Sequence, residues 1–573
     1  MARSNDEVAA VLREYADLVA ITGGEAYRAR AYEKAARAVA GHHADVAELD
    51  VKGLQGIPNV GRSLAEKITA FLATGRMAQV EALREKIPDG VRQLTAIPTL
   101  GPKKALVLYE ELHVSSVDEL VEAIDAGRLA DLKGFGEKTA ENIRHGIDLL
   151  RADGGRVHVD VALELAEETV AALAGVPGCV RCTYAGSLRR MRETIGDVDI
   201  LAASDDSAPL MEAFTALPYV AEVVASGHTK TSIRTRQGLQ IDLRVVPPVA
   251  WGAALQYFTG SKAHNIRTRE RAVRAKLKLS EYGLFDVESG ERIVSETEEE
   301  VYERLGLPWI PPTLREDRGE IEAALRGELP ALVAVDDLRG DLHTHTDLTD
   351  GLASLDDMVA AAAVRGYEYY AVTDHAPNLV MQRMTDEKML AQRERVAKLA
   401  ERFPAMTLLH GTELNIDPDG EVDWPAGFLA GFDVCVASVH SHFGQSREEM
   451  TRRIVRACEN PHVNVIGHPT ARKLGKRPAI DFDLDEVFAA CARTGTALEI
   501  NAHPDRLDLK DDHVDRARRH GVRFAIDSDS HAIGHLDNMR YGVGMAQRGW
   551  LTPDDVVTTW PLERLRTFLA KGR

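Results

Sequence analysis

The sequence predicts a multidomain chain with three architectures in series: a helical N-terminal part, an α+β middle part and a C-terminal distorted β/α barrel. Three observations predict it. A helical-hairpin pattern recurs three times before residue 145. Carboxylates then sit on strand-like runs, and after residue 340 strand-like runs ending in His, Asp or Glu alternate with helical segments. At 573 residues the chain exceeds one ordinary core, so several domains are expected. Apolar residues make up 45% and charged residues 28%, a globular composition, and no apolar run is long enough to cross a bilayer. The polar start and the five cysteines, an odd number, point to a reducing, cytoplasmic setting, with Cys179 and Cys182 read as core packing. The net charge of −19 argues against nucleic-acid binding by bulk electrostatics, so any such contact has to be local.

Residues 5–50 place Val8, Val11, Leu12, Tyr15, Leu18 and Val19 at helical spacing. An internal repeat follows. Ile57-Pro-Asn-Val-Gly61 recurs as Ile97-Pro-Thr-Leu-Gly101 and as Leu132-Lys-Gly-Phe-Gly136, each followed by a helix that begins with polar or basic residues. The copies resemble the helix-hairpin-helix motif, whose turn aims backbone N–H groups and a helix N-terminus at a DNA phosphate. Only the third copy carries Gly-hydrophobic-Gly; Asn59 and Thr99 replace the first glycine in the others. The resemblance implies DNA contacts at Gly61, Gly101, Gly134 and Gly136.

In the middle part, a helix is expected near 161–173, strands near 180–185, 221–226 and 239–246, and a further helix near 209–217. Between the first strand and that helix lie Gly186-Ser187-Leu188-Arg189-Arg190 and Gly196-Asp197-Val198-Asp199. Residues two apart on an extended chain share a face, so Asp197 and Asp199 can converge on a hard cation such as Mg²⁺. The Gly-Ser turn and the Arg190 fork suit phosphate oxygens. A solvated surface turn is the competing reading of these residues alone. Asp242 stands on an otherwise apolar strand, where a carboxylate is costly without partners, and so reads as a third ligand. Tyr257-Phe258-Thr259-Gly260-Ser261 can wall off a flat aromatic substrate, or simply mark a helix end.

Taken together, residues 1–315 resemble DNA polymerase family X, the family of DNA polymerase beta. The resemblance implies a nucleotidyltransferase palm in which Asp197, Asp199 and Asp242 hold two Mg²⁺ and Asp242 helps activate the primer 3′-OH. It implies that Ser187, Arg190 and Gly196 hold the triphosphate, that Tyr257, Phe258 and Gly260 line the sugar pocket, and that Asn265 and Arg269 check the minor-groove side. Gln240 stands where beta-like members carry Arg, and Lys262 where they carry an acid at the nucleotide. Lys67 falls at the family's lyase nucleophile; the alternative is a DNA-phosphate or surface lysine.

The C-terminal part opens on Asp-Leu-His343-Thr-His345, and Asp350 follows. His375, Glu413, His440, His468, Asp529 and His531 then appear at the ends of successive apolar runs. Barrels of alternating strands and helices gather active-site residues at those strand ends. Six histidines and three acids exceed what one tetrahedral zinc takes, so two or three metals are expected. This half resembles the PHP (polymerase and histidinol phosphatase) domain, which implies three Mn²⁺ or Zn²⁺ ions. His343, His345, Glu413 and Asp529 would hold one, Glu413, His440 and His468 a second, and Asp350, His375 and His531 a third. His442 matches no ligand position. Arg472, Lys473 and Arg506 are candidate phosphate contacts or solvated surface.

The expected units are a lyase-like helical domain (1–80), a helix-hairpin-helix subdomain (81–152), the palm (153–250), a nucleotide-selection subdomain (251–315), a linker (316–338) and the PHP unit (339–573). The expected function is a gap-filling repair DNA polymerase with a metal-dependent 3′–5′ exonuclease or 3′-end phosphodiesterase, abasic-site cleavage being a further option. Its partners would be gapped or nicked DNA and deoxynucleoside triphosphates, and it would act as a monomer without a membrane. The alternatives are a polymerase with a purely structural PHP module, a DNA-end-binding scaffold, or a small-molecule phosphatase joined to a nucleotidyltransferase.

Overall fold

The hairpin repeat is visible in the backbone hydrogen bonds. Ile57 N–H donates to Leu54 and Val60 N–H to Ile57; the same pair of bonds recurs at Ile97 and Leu100, and again at Leu132 and Phe135. Asn59 adopts a left-handed φ of 65°, which Asn tolerates better than most residues, so it can stand where the motif has glycine. The computed structural model describes residues 4–22, 26–40, 42, 45–84, 87, 89–95, 97, 100–129, 132, 135–136, 139–140, 143–144, 147, 155–379, 382 and 384–571. Gly134 and Thr99 lie outside them. The helices Ser4–Ile21, Ala26–Ala40, Arg62–Thr74 and Pro102–Leu112 share a core of their own, centred on Leu12, Leu54, Ile68, Leu108 and Phe135.

The middle sheet has five strands in the order Arg181–Tyr184, Asp197–Ala203, Gln240–Val246, Lys230–Thr235 and Val220–Ser226. Only the pairing of Asp197–Ala203 with Gln240–Val246 is parallel. The strand Lys230–Thr235 was not anticipated from sequence. Helix Val159–Ala174 buries Leu163, Ala166 and Leu173. Beyond the sheet, helices Trp251–Thr259 and Lys262–Arg274 lead to three antiparallel strands, Leu277–Ser280, Gly283–Asp286 and Arg292–Val294, and to helix Glu298–Arg304. Buried Glu298 joins this part to the sheet. It accepts from Arg189 through both carboxylate oxygens at 2.9 and 2.8 Å and from Arg315 at 2.6 Å. Residues 316–338, read as a linker, are built into the fold instead. Helix Glu320–Arg326 places Ile321 and Ala324 in the same core as Leu284 and Tyr302, and buried Glu320 lies 2.7 Å from His264 Nδ1.

In the C-terminal part, seven parallel strands pair in chain order: Gly340–Asp341, Tyr369–Val372, Thr407–Asn415, Val434–Ser438, Val465–Ile466, Ala497–Asn501 and Phe524–Asp527. A parallel bridge between Thr344 and Ser530 brings the last strand end to the first and nearly closes the barrel. The outer helices start where the sequence caps them. Ser354, Thr385, Ser446 and Asp483 each accept from the backbone N–H three residues on, a bond worth about 1 kcal/mol. The barrel and the middle sheet are not separate bodies. Val198 and Ile241 of the sheet belong to one continuous apolar cluster with Phe488 and Ile526 of the barrel.

Candidate active sites

Strand alternation turns Asp197 and Asp199 to one face, and the parallel register sets Asp199 beside Asp242 and Asp197 beside Gln240. Burial pushes the Asp199 carboxyl up to about 7, and repulsion from Asp197 and Asp242 adds to the rise. Asp242 goes the other way. Burial would raise it, but hydrogen bonds from Lys230, Ser232 and Gln240 outweigh that and hold it below the usual carboxylate range. Gln240 Nε2 donates to Asp242 at 2.9 Å, and Lys230 Nζ lies 2.5 Å from its other oxygen. The strand missed from sequence thus supplies the ammonium beside the triad. Three convergent carboxylates facing one ammonium still suit hard divalent cations. Gly186 makes the close approach possible, since it has φ 62° and a Cβ there would stand 2.2 Å from Asp199 Oδ2. A cavity of about 100 Å³ lies beside two members of the triad, lined by Asp199, Lys230, Asp242, Arg244 and Phe258.

Of the expected nucleotide residues, Phe258 lines this cavity, and the others are in differing states. Ser187 lies in the one-turn helix Gly186–Arg189, and Gly196 directly precedes Asp197. Arg190 is held from two sides: its Nε donates to Glu316 at 3.0 Å and its Nη1 to the Thr259 carbonyl at 2.7 Å. Tyr257 and Phe258 meet edge to face with centroids 5.1 Å apart, and the Arg269 guanidinium lies 5.7 Å from the Tyr257 ring. Lys262 and Arg269 are exposed on helix Lys262–Arg274. Asn265 is buried. Its Nδ2 donates to the Tyr257 carbonyl at 2.6 Å and its Oδ1 accepts from Gln256 at 3.1 Å, so it fixes the end of the preceding helix. A Cβ on Gly260 would stand 2.6 Å from that same Oδ1.

Lys67 is half-buried on helix Arg62–Thr74, and its Nζ donates to the Tyr32 hydroxyl at 2.7 Å. At Gly61, Gly101 and Gly136 the following helix begins with the same two N–H bonds back to the glycine carbonyl. A Cβ at any of the three would meet nothing within 4 Å, and φ is −77° at Gly61 and −71° at Gly101. Neither packing nor backbone conformation requires glycine at these two helix starts. With no side chain there, the N–H groups of these helix starts stay open to a ligand backbone from outside.

In the barrel, Glu413 is the hub. Its Oε1 lies 3.1 Å from His440 Nε2 and 3.0 Å from His468 Nε2, while its Oε2 lies 3.5, 3.6 and 2.9 Å from His343, His345 and His375. Three overlapping groups could each hold a metal: His345, Asp350, His375 and His531; His343, His345 and Asp529; and His375, Glu413 and His440. All nine expected ligands therefore converge, with His345 and His375 shared between groups and His468 joined through Glu413. Both ring nitrogens of His345, Nε2 of His343 and Nδ1 of His375 are buried without a hydrogen bond. Buried imidazole nitrogens are costly when unsatisfied, and an all-nitrogen-and-oxygen donor set suits divalent metals of the zinc and manganese kind. Burial disfavours the His343 cation, but the Glu499, Glu413 and Asp529 carboxylates outweigh it and hold the ring well above the ordinary histidine range. The carboxyl of Glu413, ringed by imidazoles, is held well below its usual range despite burial.

Two residues of this centre escaped the sequence reading. Glu499, fully buried, lies 2.6 Å from His343 Nδ1 and also accepts from His468 N–H and, at 3.1 Å, from Asn501. Asn415 accepts from His440 Nδ1 at 2.8 Å and so presents Nε2 toward Glu413. Glu499 comes from Ala497–Asn501, the one interior barrel strand without a ligand motif at its end. His442 is exposed and bonds its neighbour Ser441. Of the basic candidates, Arg506 turns toward the centre, with Nε 3.5 Å from Asp529 and a buried, unbonded Nη1. Arg472, expected at a phosphate or in solvent, is instead spent on the boundary with the middle sheet, donating to Glu193 at 2.7 Å and to the Leu507 carbonyl. Lys473 pairs with Asp505 at 3.5 Å.

The chain matches a helix-hairpin-helix domain over residues 3–77, a SAM-like helix-hairpin-helix tandem over 91–147, the DNA polymerase beta thumb over 254–316 and the PHP domain over 341–503. It is 34% identical over 569 residues to the protein of Bacillus subtilis (strain 168) named DNA polymerase/3′-5′ exonuclease PolX, covering 99% of both chains. It is 27% identical over 325 residues to DNA polymerase lambda of Rattus norvegicus, covering 51% of this chain and 53% of that one. A probable phosphatase of Thermoanaerobacter sp. (strain X514) is 27% identical over 231 residues, 38% of this chain and 89% of its own.

Proposed function

This chain belongs to the bacterial PolX kind of family X DNA polymerases, and on that footing we propose that its middle sheet fills short gaps during DNA repair while its barrel trims 3′ ends. It is a DNA polymerase and a 3′–5′ exonuclease acting on DNA and nucleotides. What carries the division of labour is that each centre is complete by itself: three carboxylates on two parallel strands in one, nine residues including Glu413 in the other.

In the first centre, two Mg²⁺ held by Asp197, Asp199 and Asp242 would supply charge neutralisation for the triphosphate and acidify the primer hydroxyl. Asp242, kept ionised by Lys230, Ser232 and Gln240, faces the primer 3′-OH as the proton acceptor. Arg190, Ser187 and Gly196 hold the phosphates, and Tyr257, Phe258 and Gly260 close the sugar side. The primer oxygen bonds the α-phosphorus as the bond to the bridging oxygen breaks, and pyrophosphate leaves. In the barrel, Mn²⁺ or Zn²⁺ ions would supply Lewis acidity for phosphodiester hydrolysis. Arg506 neutralises the scissile phosphate, and Glu499 and Asn415 fix the rings of His343 and His440. Gly61, Gly101, Gly134 and Gly136 approach the DNA backbone. Lys67 contacts DNA near Tyr32, and the enzyme works as a monomer.

The test compares Asp197→Asn/Asp199→Asn with His343→Ala/His345→Ala on a gapped duplex with a 5′-labelled primer in Mn²⁺, with and without nucleotides. The first pair should lose extension alone and the second resection alone. Loss of extension in both with resection untouched would sink the assignment.

A further inference from the structure

The turn that carries Arg190 is held from the barrel. Arg190 ends the one-turn helix Gly186–Arg189 and is followed by Met191 at φ 53°, a left-handed conformation a non-glycine residue keeps only with outside support. That support is helix Met539–Arg548 of the barrel. Buried Arg548 donates through Nη1 to the Arg190 carbonyl at 2.8 Å and to Glu316 Oε1 at 2.9 Å, the same oxygen that takes Arg190 Nε at 3.0 Å. Its Nη2 donates to Asp511 at 2.6 Å, which also takes Arg318 at 3.0 Å. One turn earlier, Gly544 seats the Met191 side chain; a Cβ there would stand 2.7 Å from Met191 Cε and 2.9 Å from its Cβ.

We infer that Arg548 and Gly544 are positioning residues for polymerisation, through which the barrel fixes the guanidinium that receives the nucleotide triphosphate. The inference rests on the reading of Arg190 as a phosphate contact. Glu316 holds Nε and the Thr259 carbonyl holds Nη1, so the guanidinium plane is set; on that reading Nη2 is the nitrogen that meets the phosphates. Arg548 orients Glu316 and the Arg190 peptide at once. A planar fork reaching two acceptors in this way is only partly replaced by a point charge. The barrel therefore contributes to nucleotide affinity without touching the nucleotide, and it does so from a helix that carries none of the nuclease ligands.

The test measures deoxynucleoside triphosphate affinity on a dideoxy-terminated gapped duplex, KM and kcat in gap filling, DNA affinity, and 3′ resection, in the full-length protein. The variants are Arg190→Ala, Arg548→Met, Arg548→Lys and Gly544→Ala. Arg548→Met leaves Asp511 paired with Arg318, and Gly544→Ala leaves every charge in place. Both should weaken nucleotide binding about tenfold and raise KM more than they lower kcat, with resection and DNA affinity unchanged. Pyrophosphate inhibition should weaken in parallel, and Arg548→Lys should recover part of the loss. If Arg190→Ala weakens nucleotide binding while Arg548→Met and Gly544→Ala do not, the inference is overturned. If Arg190→Ala itself leaves nucleotide affinity unchanged, the phosphate-contact reading fails first. Should Arg548→Met not fold, Gly544→Ala decides alone: unchanged affinity overturns the inference and weakened affinity upholds it.

Discussion

Replacing Glu499 by Gln should disable the nuclease and spare the polymerase. The carboxylate lies 2.6 Å from His343 Nδ1 and accepts from His468 N–H and from Asn501. It is fully buried and takes no place in any of the three metal-binding groups. Glutamine keeps the volume and one acceptor oxygen, but it removes the charge that polarises His343 and turns an N–H₂ either toward His343 Nδ1 or toward the His468 and Asn501 donors. Loss of such an outer carboxylate costs about 10- to 100-fold in metal affinity or activity, or roughly 1.4 to 2.7 kcal/mol. The assay is Mn²⁺ titration of 3′ resection on a 5′-labelled single strand, with gap filling in Mg²⁺ as the internal control. Half-saturation should move to higher Mn²⁺ by that factor while extension stays at the wild-type rate. Unchanged half-saturation and rate would show that His343 needs no such partner. A parallel fall in extension would point to general destabilisation instead.

Three further outcomes follow from other parts of the molecule. Gly186→Ala drives a methyl into Asp199, and gap filling should fall by about a hundredfold or more with resection intact; a variant that still extends primers normally would contradict the geometry. Glu298 is buried, yet Arg315 and Arg189 hold its carboxyl at about 2, below the usual 4.5. Its stabilisation is complete above pH 4.5 and is lost as pH falls toward 2. Glu298→Gln should therefore cost roughly 3 kcal/mol at pH 7, and thermal melts of wild type and variant should draw together below pH 4.5; a constant gap would refute the coupling. Gly61→Val and Gly101→Val meet open space, so folding should suffer by no more than about 1 kcal/mol. Their affinity for gapped duplex should still drop about five- to tenfold; unaltered binding would remove these turns from the DNA contact.

Much of this was legible because it is written as spacing. The hairpins repeat as five-residue turns, the acidic pair alternates along a strand, and seven of the barrel ligands lie just past the ends of strands, while Asp350 lies in the turn after the first strand and Glu413 lies two residues inside its own. Asp242 could be assigned from cost alone, as a carboxylate on an apolar strand. What escaped has no spacing. Lys230 reaches Asp242 only because an unanticipated strand pairs next to it, and Glu499 reads as one acid in the run Leu498-Glu499-Ile500 until parallel pairing sets it under His343. Arg472 misled for the complementary reason: a basic residue near a strand end resembles a phosphate contact until the loop before Asp197 brings Glu193 to it. Asn265 resembles a ligand contact in sequence, and in the fold its amide also bonds the Tyr257 carbonyl and Gln256.

The continuous apolar cluster between sheet and barrel carries a kinetic consequence. Domains joined by large apolar interfaces do not swing apart as loosely tethered ones do, so the two centres act as fixed stations. A 3′ end can visit the second only by leaving the first, and the traveller is the DNA. Whether a terminus is lengthened or trimmed then becomes a race between nucleotide capture and release of the primer. A well-paired end dwells at the sheet and is extended, and a frayed one has time to reach the barrel. On the proposed division of labour, the balance of synthesis against removal would then follow the quality of the terminal base pair.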